Sequence, residues 1–234
     1  MIRDSGFGTE SFLKTFADRR QLDAQVQALR AFGDDRAVGV LEVDDDKWTA
    51  LLERVRPGAT LASTASEDEA MRVVAQLFST RWPHVPAGTA ATPIDDFVTA
   101  LERDGFARAR AVFSDLLADD VHPVLLHGDL HYDNILTSDR AGHLLIDPKG
   151  FIGDPAFDIG YLVSRPMPSA RDRLPLSRAI DQRLAYLPDA TGLDRRRVTA
   201  FAYVAAALSA AWAREDRDAV VDRFLESMRV LERY

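Results

Sequence analysis

Residues 123–160 read PVLLHGDLHYDNILTSDRAGHLLIDPKGFIGDPAFDIG, and this stretch decides the fold. Short apolar strands are expected at 124–126, 134–137 and 143–146, the last two joined by the turn Ser138-Asp139-Arg140-Ala141-Gly142. Between and after them polar groups crowd together. His127, Asp129, His131, Asp133 and Asn134 fall within eight residues, and Asp147, Asp154 and Asp158 follow. Carboxylates massed at strand ends repel one another unless cations or hydrogen bonds offset the repulsion. Such a loop suits metal-dependent phosphoryl transfer, because Mg²⁺ takes hard oxygen ligands and needs few from protein when phosphates and water supply the rest.

The spacing sharpens that reading. Asn134 follows Asp129 by five positions and Asp147 follows Asn134 by thirteen. In kinase-like sites one Asp orients the acceptor hydroxyl and takes its proton, while an Asn and a second Asp hold Mg²⁺ against the ATP phosphates. A tight turn between two strands brings the loop before Asn134 beside Asp147. A competing reading takes His127, Asp129 and His131 as alternating ligands of a metallohydrolase, but no second His-rich motif completes such a site.

Outward from this stretch, a strand is expected over 11–16 (SFLKTF). A helix follows over 19–32, with Leu22, Val26, Leu29 and Phe32 at helical spacing, then strands over 37–43 and 48–55 around Asp44-Asp45-Asp46. Pro57-Gly58 breaks the chain. Helices are expected over 66–82, 94–104 and 105–119. The pattern is helical from 158 onward, with breaks at Pro166–Pro168 and Pro188–Gly192 and an Ala-rich run over 193–213. No internal repeat or low-complexity segment occurs.

HGDLHYDN resembles the catalytic loop of the aminoglycoside phosphotransferase superfamily, and LLIDPKGFIGDPAFDIGYL its metal-binding segment. The ID-P-K-G form, together with LLERVRPGATL and SFLKTF…ALRAF, resembles the streptomycin 6-kinase and hydroxyurea phosphotransferase branch, over nearly the whole chain. The resemblance implies an α+β, protein-kinase-like two-lobe fold, with a truncated N-lobe over 1–56 and a mainly helical C-lobe over 57–234. It implies an ATP- and Mg²⁺-dependent transfer of phosphate to a hydroxyl of a small molecule, a streptomycin-like aminoglycoside or hydroxyurea. Asp129 would be the base, Asn134 and Asp147 the Mg²⁺ ligands, and Lys14 the partner of the α- and β-phosphates. Glu53 to Val55 would bind adenine through backbone groups, while His127 and Asp158 would brace the loop.

The sequence departs from that pattern in two places. Only thirteen residues precede Lys14, so the two strands that should cover the phosphates are expected to be missing. Ser5-Gly6-Phe7-Gly8 then reads as the turn entering the lysine strand, which would have an unpaired edge. The helix partner of the lysine, a Glu in the pattern, is Gln25, which can hydrogen-bond Lys14 but cannot pair with it as a charge. These departures fit either an active chain whose start lies upstream or a silent remnant that only binds.

Composition bounds the rest. The chain has 234 residues, 47% hydrophobic and 28% charged, enough for a core, with no apolar run long enough to span a bilayer and no leader-like N-terminus. Cys is absent, which excludes disulfides and thiolate metal sites and fits a cytoplasmic protein. A net charge of −8 argues against nucleic acid and serves solubility or the attraction of a cationic substrate. For such a substrate Glu215, Asp216, Asp218 and Asp222 are candidates, though an ordinary solvated helix face is the favoured reading of them. Arg195-Arg196-Arg197 reads as a solvated helix start, and Asp154 as either a ligand or a stabiliser of the turn before Pro155.

Overall fold

The computed structural model describes residues 2–5, 9–79, 82–89, 91–102, 105–165, 174–216 and 218–234. A four-stranded antiparallel sheet comes first, built from β1 (Ile2–Ser5), β2 (Thr9–Thr15), β3 (Val40–Asp44) and β4 (Thr49–Glu53) in the order β1-β2-β4-β3. Helix α1 (Arg19–Phe32) lies against it. It starts where Asp18 accepts from the Gln21 amide at 2.8 Å and ends at Gly33. Its Leu22, Val26, Leu29 and Phe32 are buried together with Ala50 and Leu52 of the sheet.

The lysine strand is not left bare along its outer edge. The backbone of β1 pairs with it from Ile2↔Phe12 to Ser5↔Thr9, so one of the two strands expected to be missing is present. The pairing satisfies peptide groups that an edge strand would otherwise expose. Gly6, Phe7 and Gly8, read as the entering turn, lie outside the described residues, as do Pro166–Pro168 and Asp104.

A second sheet joins β5 (Pro57–Thr60), β7 (Ile135–Ser138) and β8 (Gly142–Leu145) in the order β5-β7-β8, and β6 (Val124–Leu125) pairs with β9 (Ile152–Gly153). The break expected at Pro57-Gly58 is therefore itself a short strand, because Pro57 pairs with Ser138 at the sheet edge, where a missing N–H costs nothing. The two larger sheets are stitched together: Val38 N–H donates to Leu145 O at 3.0 Å and Leu145 N–H to Arg36 O at 2.8 Å.

The remainder is helical: α2 (Leu61–Thr64), α3 (Glu67–Phe78), a 3₁₀ stretch (Ile94–Leu101), α4 (Ala107–Ala118), α5 (Ala156–Ser164), α6 (Leu176–Thr191), α7 (Arg195–Glu215) and α8 (Val221–Leu231). Helix α3 opens with a reciprocal cap: Ser66 Oγ accepts from the Glu69 amide, and the Glu69 carboxylate accepts from the Ser66 amide at 2.8 Å. The Ala-rich α7 is buried from Phe201 to Ala211. It approaches α5 so closely that a Cβ on Gly160 would stand 2.7 Å from the Ala202 nitrogen. Of the arginine run only Arg195 and Arg196 are solvated. Arg197 is half-buried and binds Asp154, Asp119 and the Leu116 carbonyl, because the start of α7 docks onto α4 and the turn into α5. Asp154 thus acts as a turn stabiliser, accepting also from Ala156 N–H at 2.7 Å. Among the described residues no helix is long and apolar enough to cross a membrane.

Candidate active site

The HGD loop leaves β6, and its first residues are held from below by α5. Asp158, fully buried, accepts from the amides of His127 and Gly128, each at 2.8 Å, and from the indole Nε1 of Trp82 at 3.0 Å. Burial pushes its carboxyl up to about 6, against the pull of those three donors. His127 is equally buried. Its Nε2 lies 3.0 Å from Ile146 O, and a carbonyl can only accept, so Nε2 carries the proton and Nδ1 is left to accept from the Asp129 amide at 3.3 Å. Burial holds this imidazole down to about 4. Both ring nitrogens are engaged inside the protein, which removes His127 as a metal ligand and with it the metallohydrolase reading. His127 and Asp158 are thus both tied by hydrogen bonds to the backbone of the loop.

One turn along α5 from Asp158, on the same face, Tyr161 donates its hydroxyl to Asp129 Oδ1 at 3.0 Å. Lys149 Nζ lies 3.5 Å from Asp129 Oδ2, and His131 Nε2 3.7 Å from Oδ1. Burial works to raise the Asp129 carboxyl, but His131, Lys149, His127 and the Tyr161 hydrogen bond together hold it below the usual carboxylate range. The result is an ionised acceptor at neutral pH, suited to taking a hydroxyl proton.

Asn134 ends a 3₁₀ turn (Tyr132–Asn134), and its amide Nδ2 donates to the Asp129 carbonyl at 2.9 Å. That leaves Oδ1 as the atom available to a cation. Ile146 N–H donates to Asn134 O at 2.9 Å, so the β7–β8 ladder sets Asn134 beside the residue preceding Asp147. Asp147 sits at φ 55°, in the left-handed region that aspartate tolerates better than most residues. Its Oδ1 pairs with Lys14 Nζ at 2.9 Å. Two oxygen donors, an amide and a carboxylate, fit a Mg²⁺ ion that draws its other ligands from phosphate and water. Among the described residues no group of three or more His, Asp or Glu is arranged to hold a metal ion by itself.

Gln25 does not serve Lys14. Its Nε2 donates to Pro148 O at 2.9 Å, and its Oε1 is buried without a hydrogen-bond partner, while Lys14 turns to Asp147. Glu53 and Val55 line a cavity of about 330 Å³ with Val38, Leu52, Leu136 and Ile146, and Asp147 stands at its rim. The Glu53 side chain faces away from any ligand role. Arg140 donates to it twice at 2.7 Å, its Oε2 also accepts from Gly39 N–H at 3.0 Å, and the Arg140 bonds hold its carboxyl below the usual range. Arg140 also donates to the carbonyls of Ala37, at 3.1 Å, and Asp34.

Several residues around the site escaped the sequence. Tyr161 was within reach of it, since a three-residue offset from Asp158 places both on one helix face. Trp82 and the buried cluster below Tyr132 were not. In that cluster Tyr132 donates to Glu67 Oε1 at 2.7 Å, and Arg183 donates to the two Glu67 oxygens at 2.6 and 3.3 Å. Arg183 also reaches the carbonyls of Leu162, Val163 and Arg165 at the end of α5. Glu215, Asp216, Asp218 and Asp222 are exposed around the α7–α8 turn. Helix α8 borders the site through Phe224, over which Arg165 stacks at 5.5 Å while its Nη1 donates to Tyr161 Oη at 3.2 Å.

The chain is similar in sequence and in fold to known kinases. The chain is 32% identical over 230 residues to streptomycin 6-kinase of Streptomyces glaucescens, covering 92% of this chain and 74% of that protein. It is 30% identical over 224 residues to hydroxyurea phosphotransferase of Kitasatospora aureofaciens, covering 89% and 64%. Among solved structures, the choline kinase of Streptococcus pneumoniae superposes with a TM-score of 0.67 at 17% identity, covering 100% of this chain and 89% of that one. A thermostable aminoglycoside phosphotransferase APH(4)-Ia, in a ternary complex with ADP and hygromycin B, superposes with a TM-score of 0.63 at 17% identity, covering 99% and 91%. The fold is thus the protein-kinase-like one. Residues 5–217 match the aminoglycoside/hydroxyurea antibiotic resistance kinases, and the chain belongs to that family.

Proposed function

We propose that the chain is a cytoplasmic, ATP-dependent phosphotransferase that moves the γ-phosphate to an alcohol hydroxyl of a small molecule, an aminoglycoside such as streptomycin, or to hydroxyurea. The observation that supports this reading is the pair of contacts Lys14–Asp147 and Asn134–Asp129, joined by the Ile146–Asn134 backbone bond, with Asp147 lining the cavity at Glu53 and Val55. In this reading residues 1–56 form the lobe that covers ATP and residues 57–234 the lobe that carries the chemistry. Adenine occupies the cavity between Val38 and Leu136, meeting backbone groups from Glu53 to Val55. Lys14 exchanges its contact with Asp147 for the α- and β-phosphates. Mg²⁺, held by Asn134 Oδ1 and the Asp147 carboxylate, would neutralise charge on the phosphates.

Asp129 accepts the acceptor's hydroxyl proton as the oxygen attacks, and Tyr161 fixes the rotamer that makes this possible. Catalysis rests on positioning and charge, with no covalent enzyme intermediate. The exposed acids near α8 suit a cationic acceptor. Neutralising Asp216, Asp218 and Asp222 together should weaken streptomycin binding, and unchanged affinity would remove them from the acceptor site.

Calorimetric titration with MgATP, run beside Asp147→Ala, tests the reading. Mg²⁺-dependent binding that the variant loses supports it. A folded wild-type chain that binds no nucleotide overturns it in favour of a silent relative.

A further inference from the structure

Two lysines flank the two central carboxylates. Lys14 lies on Asp147 at 2.9 Å and Lys149 on Asp129 at 3.5 Å, and both side chains open into one cavity of about 540 Å³ between α1 and the 148–151 segment. Only three of the chain's 29 basic residues are lysines. Two of those three therefore stand at this site in a chain that otherwise uses arginine. An ammonium is a compact point charge on a flexible four-carbon stem, whereas a guanidinium is a planar fork of fixed geometry.

The backbone beneath Lys149 is fixed on both sides. Its own N–H donates to His127 O at 2.7 Å, and Gln25 Nε2 donates to the preceding carbonyl, that of Pro148, at 2.9 Å. Gly150, at φ +67°, lies so close to α1 that a Cβ would stand 2.5 Å from Ala24 O. A fixed backbone thus carries a half-exposed ammonium next to Asp129, the residue that takes the acceptor's proton in this reading. Asp129 does not hold that ammonium tightly. At 3.5 Å the contact is looser than a charge-assisted hydrogen bond, which leaves donors for a further anion.

The geometry points to Lys149 as a catalytic residue that binds the γ-phosphoryl group, an inference that rests on the phosphotransferase reading above. As the acceptor oxygen bonds to Pγ, the bond from Pγ to the β,γ-bridging oxygen breaks, and that oxygen keeps the electron pair and leaves as ADP. The acceptor's proton passes to Asp129. Lys149 keeps its own proton and donates to a non-bridging oxygen of the group in flight, holding it against Asp129.

The test separates the γ-phosphate from the rest of the nucleotide. Wild type, Lys149→Met and Lys149→Arg are titrated calorimetrically, in the presence of MgCl₂, with ADP and with the non-hydrolysable β,γ-imido analogue of ATP. Methionine should weaken the analogue about tenfold while leaving ADP unchanged, the loss of one half-exposed charge-assisted contact. Arginine should restore part of that loss. With a competent acceptor, kcat should fall in Lys149→Met more than KM for ATP rises. Equal affinities of wild type and Lys149→Met for the analogue, or equal losses for analogue and ADP, would overturn the assignment. A wild-type chain that binds neither nucleotide overturns the phosphotransferase reading and the assignment with it.

Discussion

Replacing Arg183 with methionine strips a buried carboxylate of its charge partner. Arg183 and Glu67 are 0% and 1% exposed, and the guanidinium forks onto both Glu67 oxygens. Methionine fills similar space but takes the guanidinium charge away from Glu67. An uncompensated buried charge of this kind costs about 3–5 kcal/mol, a large share of the roughly 5–15 kcal/mol that holds a domain folded. Pairing the change with Glu67→Met removes both charges. The double variant should then recover about 2–4 kcal/mol of the loss, because the desolvation cost of the pair disappears along with its attraction. A residue of about 1–2 kcal/mol should remain, since the α5 carbonyls of Leu162, Val163 and Arg165 lose their shared donor. Urea unfolding, followed in parallel by tryptophan fluorescence and far-UV circular dichroism, gives the four corners of the cycle. A double variant as unstable as the sum of its singles would refute the reasoning, because the two groups would then not be acting as a pair.

Asp129→Asn should keep the fold, with its amide oxygen still accepting from Tyr161, yet lower kcat about 10²–10⁴-fold in an ADP-release assay. Trp82→Phe keeps a ring in the core but deprives Asp158 of one donor. It should cost about 1 kcal/mol in urea unfolding and lower kcat by loosening the HGD loop. His127 titrates near 4 when folded and near 6.5 when unfolded, so on acidification the unfolded chain takes the proton first and stability falls through that window. Between pH 7 and 4.5 the wild type should lose about 2 kcal/mol more than His127→Asn, read from urea midpoints at the two values. Equal losses would mean that His127 is not held neutral.

What the sequence made legible was whatever lies close along the chain. The spacing from Asp129 through Asn134 to Asp147 is a local matter of loop, turn and ladder. His127 and Asp158 could be singled out because the motif carries them. Tertiary partners were not legible. Nothing in Gln25 announces that its amide turns to Pro148, and nothing in Trp82 points to a carboxylate 76 residues away. Arg197 looked like one of three solvated arginines, and its burial is decided by where α4 and Asp154 happen to dock. The first strand was overlooked for a related reason. Four residues carry too little pattern to announce a strand, and it is the waiting edge of β2 that makes them one.

The Arg140 side chain gives the β7–β8 hairpin a mechanical character. It stands at the turn of that hairpin and grips Glu53, Ala37 and Asp34, while Asn134 and Ile146 stand at the open end. A ladder of four paired residues is a stiff rod about 13 Å long. Glu53 is thus tied through Arg140 to the turn of the same ladder whose open end sets Asn134 beside Ile146, the residue before Asp147. One arginine side chain thereby joins the cavity wall and the Asn134–Ile146 pairing into a single frame.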